Sequence, residues 1–368
     1  MLAAFATAPN PSDPLAALEV GDRPEPEVPD GWTTVAVRAA SINHHDLWTL
    51  RGVGIAKDRF PMILGCDASG VDPDGREVVV HSVISAPGWS GDETLDPGRT
   101  LLSEVHPGTF AERVAVPVRN LVPKPAELSH EEAACLGTAW LTAYRMLFVN
   151  SGVLPGDTVL VQGASGGVST ALIALGAATG YRIWVTGRSE EERRAALELG
   201  ADAAFEPGAR LPSRVRAVME TVGEATWSHS LKALEPGGRI VVCGATSGLN
   251  PPADLSRVFF RQLSIIGSTM GTRAELETML ALLVGTGVRP AIGSTLPLAR
   301  AAEGLAAMEA GDTAGKIVLT VTGVRAKFKY GGNKEPAHRE VLADLLAERD
   351  GRADAAAREH LLRRHRAT

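Results

Sequence analysis

The sequence predicts an α/β chain of two domains, a strand-rich first third followed by a parallel sheet covered by helices. Three observations lead there. The 368 residues exceed what one ordinary core holds. Residues 1 to about 125 read as short strands broken by Gly, Pro and Asp. From about residue 128 strands and helices alternate, which means crossover units and a parallel sheet.

The elements follow in chain order. Residues 33–39 (TTVAVRA) alternate polar and apolar, as a half-buried strand does. Residues 77–83 (EVVVHSV) form a β-branched run and read as a more deeply buried strand. Residues 86–100 are a loop by composition, and 131–150 have helical periodicity. A buried strand at 158–162 precedes a helix at 169–179; a second strand at 182–186 precedes a charged helix at 190–199. Further strands are predicted at 217–220, 239–243 and 264–267, helices at 275–284 and 299–308, and a closing strand at 316–321.

Composition narrows the function. Apolar residues make up 45% of the chain and charged residues 22%, a globular balance. A net charge of −6 argues against nucleic acid as a main partner, so a small-molecule substrate is expected. No apolar run reaches the length of a bilayer, and the first residues lack a basic, then apolar leader pattern. A soluble, cytoplasmic protein without membrane partners is therefore expected. Cys66, Cys135 and Cys243 are far apart with no CxxC, so neither a zinc knuckle nor a disulfide framework is predicted.

The most informative segment is Gly163, Ala164, Ser165, Gly166, Gly167 and Val168, between a predicted strand and a predicted helix. Glycines there let backbone approach a pyrophosphate, and the helix start offers free N–H groups. Where the second strand ends, an acid would favour a ribose 2′-hydroxyl and a base a 2′-phosphate. The chain reads Thr186, Gly187, Arg188, Ser189, with no acid and one guanidinium. NADPH is the expected cofactor.

Further segments converge with that loop. GASGGV at 163–168 resembles the AxGGVG loop of quinone oxidoreductases in the medium-chain dehydrogenase/reductase superfamily. SINHHDLW at 41–48, LGCDASG at 64–70, TAWLTAY at 138–144, CGATSG at 243–248, GSTMGT at 267–272 and GKIVL at 315–319 resemble its other segments, in family order. The resemblance implies a GroES-like catalytic domain (1–138), a Rossmann domain (139–270) and a return to the first domain (271–323). It implies cofactor contacts from Gly244, Ala245, Thr246, Ser268, Thr269, Met270 and Lys316 as well as the Gly-rich loop, and a homodimer, with a tetramer as the alternative. Ser169 departs from the glycine that many relatives carry there.

In zinc-using relatives three ligands surround a catalytic metal. By alignment those places hold Asn43, Cys66 and Thr138, and the four-cysteine structural lobe would fall near 86–104, which has no cysteine. One thiolate cannot hold zinc, so no metal is expected. His44, His45, His81 and His106 show no ligand spacing either. Without a Lewis acid, conjugated acceptors suit the site best, because their reduction spreads the developing charge. The expected activity is hydride transfer from NADPH to a quinone or α,β-unsaturated carbonyl compound. A zinc-free alcohol or carbonyl dehydrogenase, or a non-enzymatic cofactor-binding partner protein, are the alternatives. Asn43 is expected to orient, His45 to deliver a proton and Asp46 to hold its loop. Trp48, Trp140 and Tyr144 are expected to wall the substrate pocket. A helical extension is expected over 324–368, with an amphipathic helix at 341–346 and another at 355–364; from residue 325 onward it carries a charge of +4.

Overall fold

The computed structural model describes residues 1–311 and 313–321. The helices expected in the tail lie outside the described residues.

One seven-stranded sheet is made from both ends of the chain. Its order is Leu121–Pro123, Glu77–Val80, Asp67–Val71, Trp32–Ser41, Lys316–Thr320 and Ile292–Pro297, with Arg113–Pro117 pairing along the first half of Trp32–Ser41. The long central strand therefore has Asp67–Val71 on one side and Lys316–Thr320 on the other. Register sets Ser41 opposite both Asp67 and Val318. Residues 41, 67 and 316 thus meet at one end of one sheet. A smaller sheet of Leu18–Asp22, Leu2–Ala6 and Met62–Ile63 lies beside it.

The strand expected over 77–83 is interrupted. It ends at Val80, and Val83–Ile84 pairs with Thr100–Leu101 in a separate ribbon. The cause is Asn120, whose Nδ2 donates to the carbonyls of His81 and Val83 at 2.8 and 2.7 Å. A side chain thus replaces the ladder bonds that a continuous strand would need.

The second half is a six-stranded parallel sheet. Its order is Ala203–Phe205, Arg182–Thr186, Thr158–Val161, Val215–Glu220, Leu234–Val242 and Ser264–Gly267. Val159, Leu160, Val161, Ile183, Val185, Val218, Met219, Ile240 and Val241 are buried, the continuous apolar runs of a sheet covered on both faces. The helix Gly167–Ala178 follows the Gly-rich loop and is almost wholly buried. Its Gly176 lies against Ile183, where a Cβ would come within 2.4 Å of Cδ1. Close helix–strand packing therefore requires glycine there.

Two boundaries differ from expectation. The helix predicted over 131–150 is broken into turns: His130–Ala133, a wide π-type turn Leu136–Trp140, Leu141–Tyr144, and a second wide turn Arg145–Asn150. Gly137 sits within the first wide turn, pressed against the Val80 carbonyl, where a Cβ would approach to 3.0 Å. Residue 270 follows the last parallel strand, but the chain does not return to the first sheet there. The helix Arg273–Thr286 carries Leu276, Met279, Leu280 and Leu283 into the core that holds Leu141, Met146 and Leu172. The first returning strand is Ile292–Pro297.

Gly70 tests the central pairing. A Cβ there would lie 2.2 Å from the Ala36 carbonyl oxygen and 2.8 Å from Val35 Cγ1. Gly70→Ala is expected to destabilise the protein by about 1–3 kcal/mol, as overpacking does. Denaturant unfolding of the two proteins side by side measures this.

Candidate functional site

The carboxyl ends of the parallel strands form the first part of the site, the place where such sheets bind ligands. Gly163 takes φ +84°, a conformation that glycine adopts without strain. Its N–H donates to Thr186 Oγ1 at 3.2 Å, and Thr186 Oγ1 donates to Gln162 Oε1 at 2.7 Å. Gln162 Nε2 donates to Ser230 Oγ at 2.9 Å. Thr186 was expected to touch the cofactor. It is buried instead, with its hydroxyl used to hold the loop. Gly166 caps the helix Gly167–Ala178, leaving the first N–H groups of that helix at the loop. Gly244 lies against the Thr221 carbonyl, where a Cβ would come within 3.1 Å. Met270 takes φ +50°, a left-handed conformation rare for a non-glycine. Ser268 is buried and accepts from Asn150 Nδ2 at 3.0 Å, while Thr246 and Thr269 are exposed.

Beside the loop lies a cavity of about 990 Å³, lined in part by Ala164, Ser165, Arg188, Glu192, Ala314 and Gly315. Arg188 is exposed, and Ser189 caps the next helix by accepting from the Glu192 N–H at 3.1 Å. Glu192 was not singled out from the sequence, yet one turn of helix brings its carboxylate back to the strand end. It accepts from Arg188 N at 2.7 Å, Arg188 Nη2 at 3.1 Å and Ser165 Oγ at 3.1 Å. Burial works against its charge, but these donors hold its carboxyl below the usual range.

The returning strand joins the halves. Gly315 N donates to the Ser165 carbonyl at 2.9 Å. The Lys316 stem runs beside Gly167, where a Cβ would lie 3.0 Å from Cδ. Lys316 was expected to contact the cofactor. Its ammonium is instead buried and committed elsewhere, donating to Ile42 O at 2.8 Å and to Asn43 Oδ1, with Asp67 Oδ2 at 3.5 Å. Ser41 Oγ and Asn43 Nδ2 also donate to Asp67 Oδ2, at 2.9 and 2.8 Å. A second bridge runs from His81 Nε2, which donates to the Gly271 carbonyl at 2.8 Å. Burial lowers the His81 pKa, consistent with a neutral donor.

The segment 43–46 opens the helix His44–Arg51. Asp46 is fully buried and accepts from Asn43 N at 2.8 Å and Gly65 N at 3.0 Å, so it holds two loops together. Burial pushes its carboxyl up to about 6. His45 lies between two groups: Nδ1 is 3.3 Å from Cys66 Sγ, and Nε2 is 2.8 Å from Glu104 Oε1. Cys66 Sγ also donates to the Leu102 carbonyl at 3.3 Å. Burial disfavours a charged ring. The Cys66 sulfur, the Glu104 carboxylate and the Asp46 charge outweigh it and hold the His45 pKa well above 6.5. Burial pushes the Cys66 thiol up, and the His45 ring works against that shift. The ring thus bridges a carboxylate and a buried sulfur, one through each nitrogen. Nothing local in the sequence marks Glu104, 59 residues from His45; the fold alone joins them.

The aromatic residues separate. Trp140 is fully buried, which corrects the expectation that it walls a pocket. Tyr144 is half-buried and packs on Phe148 with ring centroids 4.8 Å apart, and Trp48 is half-buried.

The site does not suit zinc. Thr138 Oγ1 and Asp67 Oδ1 are buried without hydrogen-bond partners among the described residues, but hydroxyl and amide groups at 138 and 43 are not its usual ligands. The two nitrogens of His45 face different partners, so Cys66 and Glu104 cannot join it around one ion. Among the described residues no group of three His, Cys, Asp or Glu could hold a metal.

Comparison with known proteins agrees with this architecture. A family model described as an alcohol dehydrogenase GroES-like domain matches residues 29–126, and one described as a zinc-binding dehydrogenase matches 167–285. The chain is 29% identical to an acryloyl-coenzyme A reductase of Metallosphaera sedula over 328 residues, 82% of this chain and 96% of that protein. It is 28% identical to a quinone oxidoreductase of Homo sapiens over 295 residues, 74% of this chain and 84% of that one. Among solved structures, an NAD-dependent alcohol dehydrogenase is 35% identical with a TM-score of 0.81, covering 87% of this chain and 100% of that one. A 2-octenoyl-CoA carboxylase reductase in complex with NADP and 2-octenoyl-CoA is 27% identical with a TM-score of 0.79, covering 93% and 91%.

Glu104→Gln removes the carboxylate that faces the His45 ring. The His45 pKa is expected to fall by about one unit or more, the scale of a lost charged partner. Histidine NMR titration reads it directly, and an unchanged midpoint would show that Glu104 does not hold the proton on the ring.

Proposed function

The chain belongs to the medium-chain dehydrogenase/reductase superfamily, and on that premise we propose that it is an NADPH-dependent reductase of conjugated acceptors, enoyl thioesters or quinones, working without catalytic zinc. The observation that carries this reading is the buried Lys316 ammonium among Ile42 O, Asn43 Oδ1 and Asp67 Oδ2. A cation of the chain itself is fixed beside Asn43 and repels a divalent ion. The proton source is then a side chain rather than a metal-bound group.

The residues present fit a nicotinamide dinucleotide. Gly163, Gly166 and Gly167 leave the backbone bare at the start of a twelve-residue helix, where pyrophosphate would meet free N–H groups. Arg188 would take a 2′-phosphate through its guanidinium. Gly244 and Ala245, with residues 268–270, would flank the nicotinamide. When bound, the dinucleotide supplies the hydride. His45 holds the proton that must follow it, kept on the ring by Glu104, and Asp46 fixes the helix start that aims His45. Asn43, bridged to Asp67 and Lys316, is a rigid amide that orients the acceptor. The alcohol dehydrogenase at 35% identity favours a second reading, oxidation or reduction of simple alcohols and carbonyls.

We also propose a homodimer. The edge strand Ser264–Gly267 is mostly exposed, and Leu255, Phe259, Phe260 and Ile265 expose large apolar side chains beside it. Among the described residues this edge is unpaired and apolar, and an edge of this kind is normally covered.

A turnover panel of crotonyl-CoA, quinones, aldehydes and alcohols, each with NADPH or NADP, tests the class. Consumption of NADPH with the first two groups is expected, and activity confined to alcohols would favour the second reading. His45→Ala is expected to lower kcat about 10²-fold or more on the productive acceptor, the range for loss of a general acid. A strong chelator is expected to leave kcat unchanged, and metal analysis showing stoichiometric zinc would overturn the zinc-free assignment.

A further inference from the structure

We propose that Glu192 sets the choice between phosphorylated and unphosphorylated dinucleotide, admitting NADH by its carboxylate and holding back NADPH. The inference rests on the reading above, in which this end of the cleft takes the adenosine ribose.

Four facts lead to it. Arg188, Ser165 and Glu192 line one cavity beside the Gly-rich loop. The carboxylate of Glu192 accepts three hydrogen bonds, from Arg188 N, Arg188 Nη2 and Ser165 Oγ. Its side chain is only 17% exposed, whereas that of Arg188 is 73% exposed. Arg188 is therefore the solvent-facing member of the pair and Glu192 the enclosed one. Finally, residues 186–189 contain no acid, and of the glutamates that line this cavity, Glu191, Glu192 and Glu198, it is Glu192 that hydrogen-bonds Arg188 and the loop residue Ser165.

The chemistry of the two ligands then differs. A ribose 2′-hydroxyl can donate to the Glu192 carboxylate, as acids at this place in dinucleotide folds accept it. A 2′-phosphate has no proton to donate at neutral pH and carries charge of the same sign. It must compete with the carboxylate for the Arg188 guanidinium and the Ser165 hydroxyl, which already serve Glu192 as an internal anion. Arg188 favours phosphate and Glu192 opposes it. The pair gives a protein that binds both dinucleotides with a moderate ratio, and Glu192 is the stronger lever because it is the more enclosed and is held by three donors.

The test is direct binding, so it does not depend on the acceptor. Calorimetric titration of the full chain with NADPH and with NADH gives both Kd values for wild type, Glu192→Gln, Arg188→Ala and the double variant. Glutamine keeps an acceptor for Ser165 and Arg188, so the helix start stays formed. Glu192→Gln is expected to tighten NADPH about tenfold, the worth of one charged hydrogen bond, and to weaken NADH several-fold. The NADPH gain is expected to vanish in the double variant. Equal shifts for both dinucleotides, or none, would overturn the role of Glu192 while leaving the cofactor assignment standing. If wild type binds neither dinucleotide, the cofactor assignment and this inference fall together. A wild-type affinity for NADPH that Arg188→Ala does not change would remove Arg188 alone, and Glu192 would still be judged on its NADH shift.

Discussion

The buried Lys316 ammonium is the constraint from which the rest of the site follows. An ammonium taken out of water costs several kcal/mol unless a charge and hydrogen bonds compensate it. Asp67 supplies the charge, and Ile42 O and Asn43 Oδ1 supply acceptors. Those three groups come from the central strand, its neighbour and the start of a helix. Lys316 itself arrives from the far end of the described chain, on the returning strand. The same stem passes under Gly167, and the preceding Gly315 is bonded to Ser165. One side chain therefore couples the cofactor loop to the segment 41–46. Replacing it would leave Asp67 buried with an uncompensated charge, so both halves depend on it.

Two acid–base pairs then divide the work. Asp67 and Lys316 are nearly inaccessible and hydrogen-bonded from several sides, which suits a fixed scaffold. His45 and Glu104 are about one-fifth exposed and make a single contact with each other, which suits a group that gives up and regains a proton. Cys66, buried between them and Leu102, keeps the ring from turning toward the core. The thiol thus acts as a hydrogen-bonding wall in a place where metal-using relatives place a ligand.

The cofactor end follows a similar logic with opposite signs. The loop offers backbone N–H groups, and the Gln162–Thr186 bonds keep its entry rigid. Arg188 and Glu192 lie at the rim, one exposed and one enclosed. The balance between them, rather than the identity of one strand-end residue, governs what the ribose carries.

The order of strands and helices, the Gly-rich loop and the segment 41–48 were legible in the sequence because each depends on local pattern: period-two burial, apolar runs, glycines before a helix. Arg182–Thr186 and Ser264–Gly267 match the expected strands residue for residue. The residue types at positions 43, 66 and 138, an amide, a thiol and a hydroxyl, were legible as well, and they are not a usual zinc set. What the sequence could not determine depends on contacts between distant segments. Trp140 looked like a pocket wall and is core, fully buried in the cluster that also holds Leu136, Leu141 and Leu172. Lys316 looked like a cofactor contact and is a buried strut. Glu104 reaches His45 at 2.8 Å across 59 residues of chain. Glu192 reached Arg188 only because a helix turns back on the strand that precedes it. In each case the side chain's role was set by which neighbour the tertiary fold placed within 3 Å or so, and no local pattern encodes that distance.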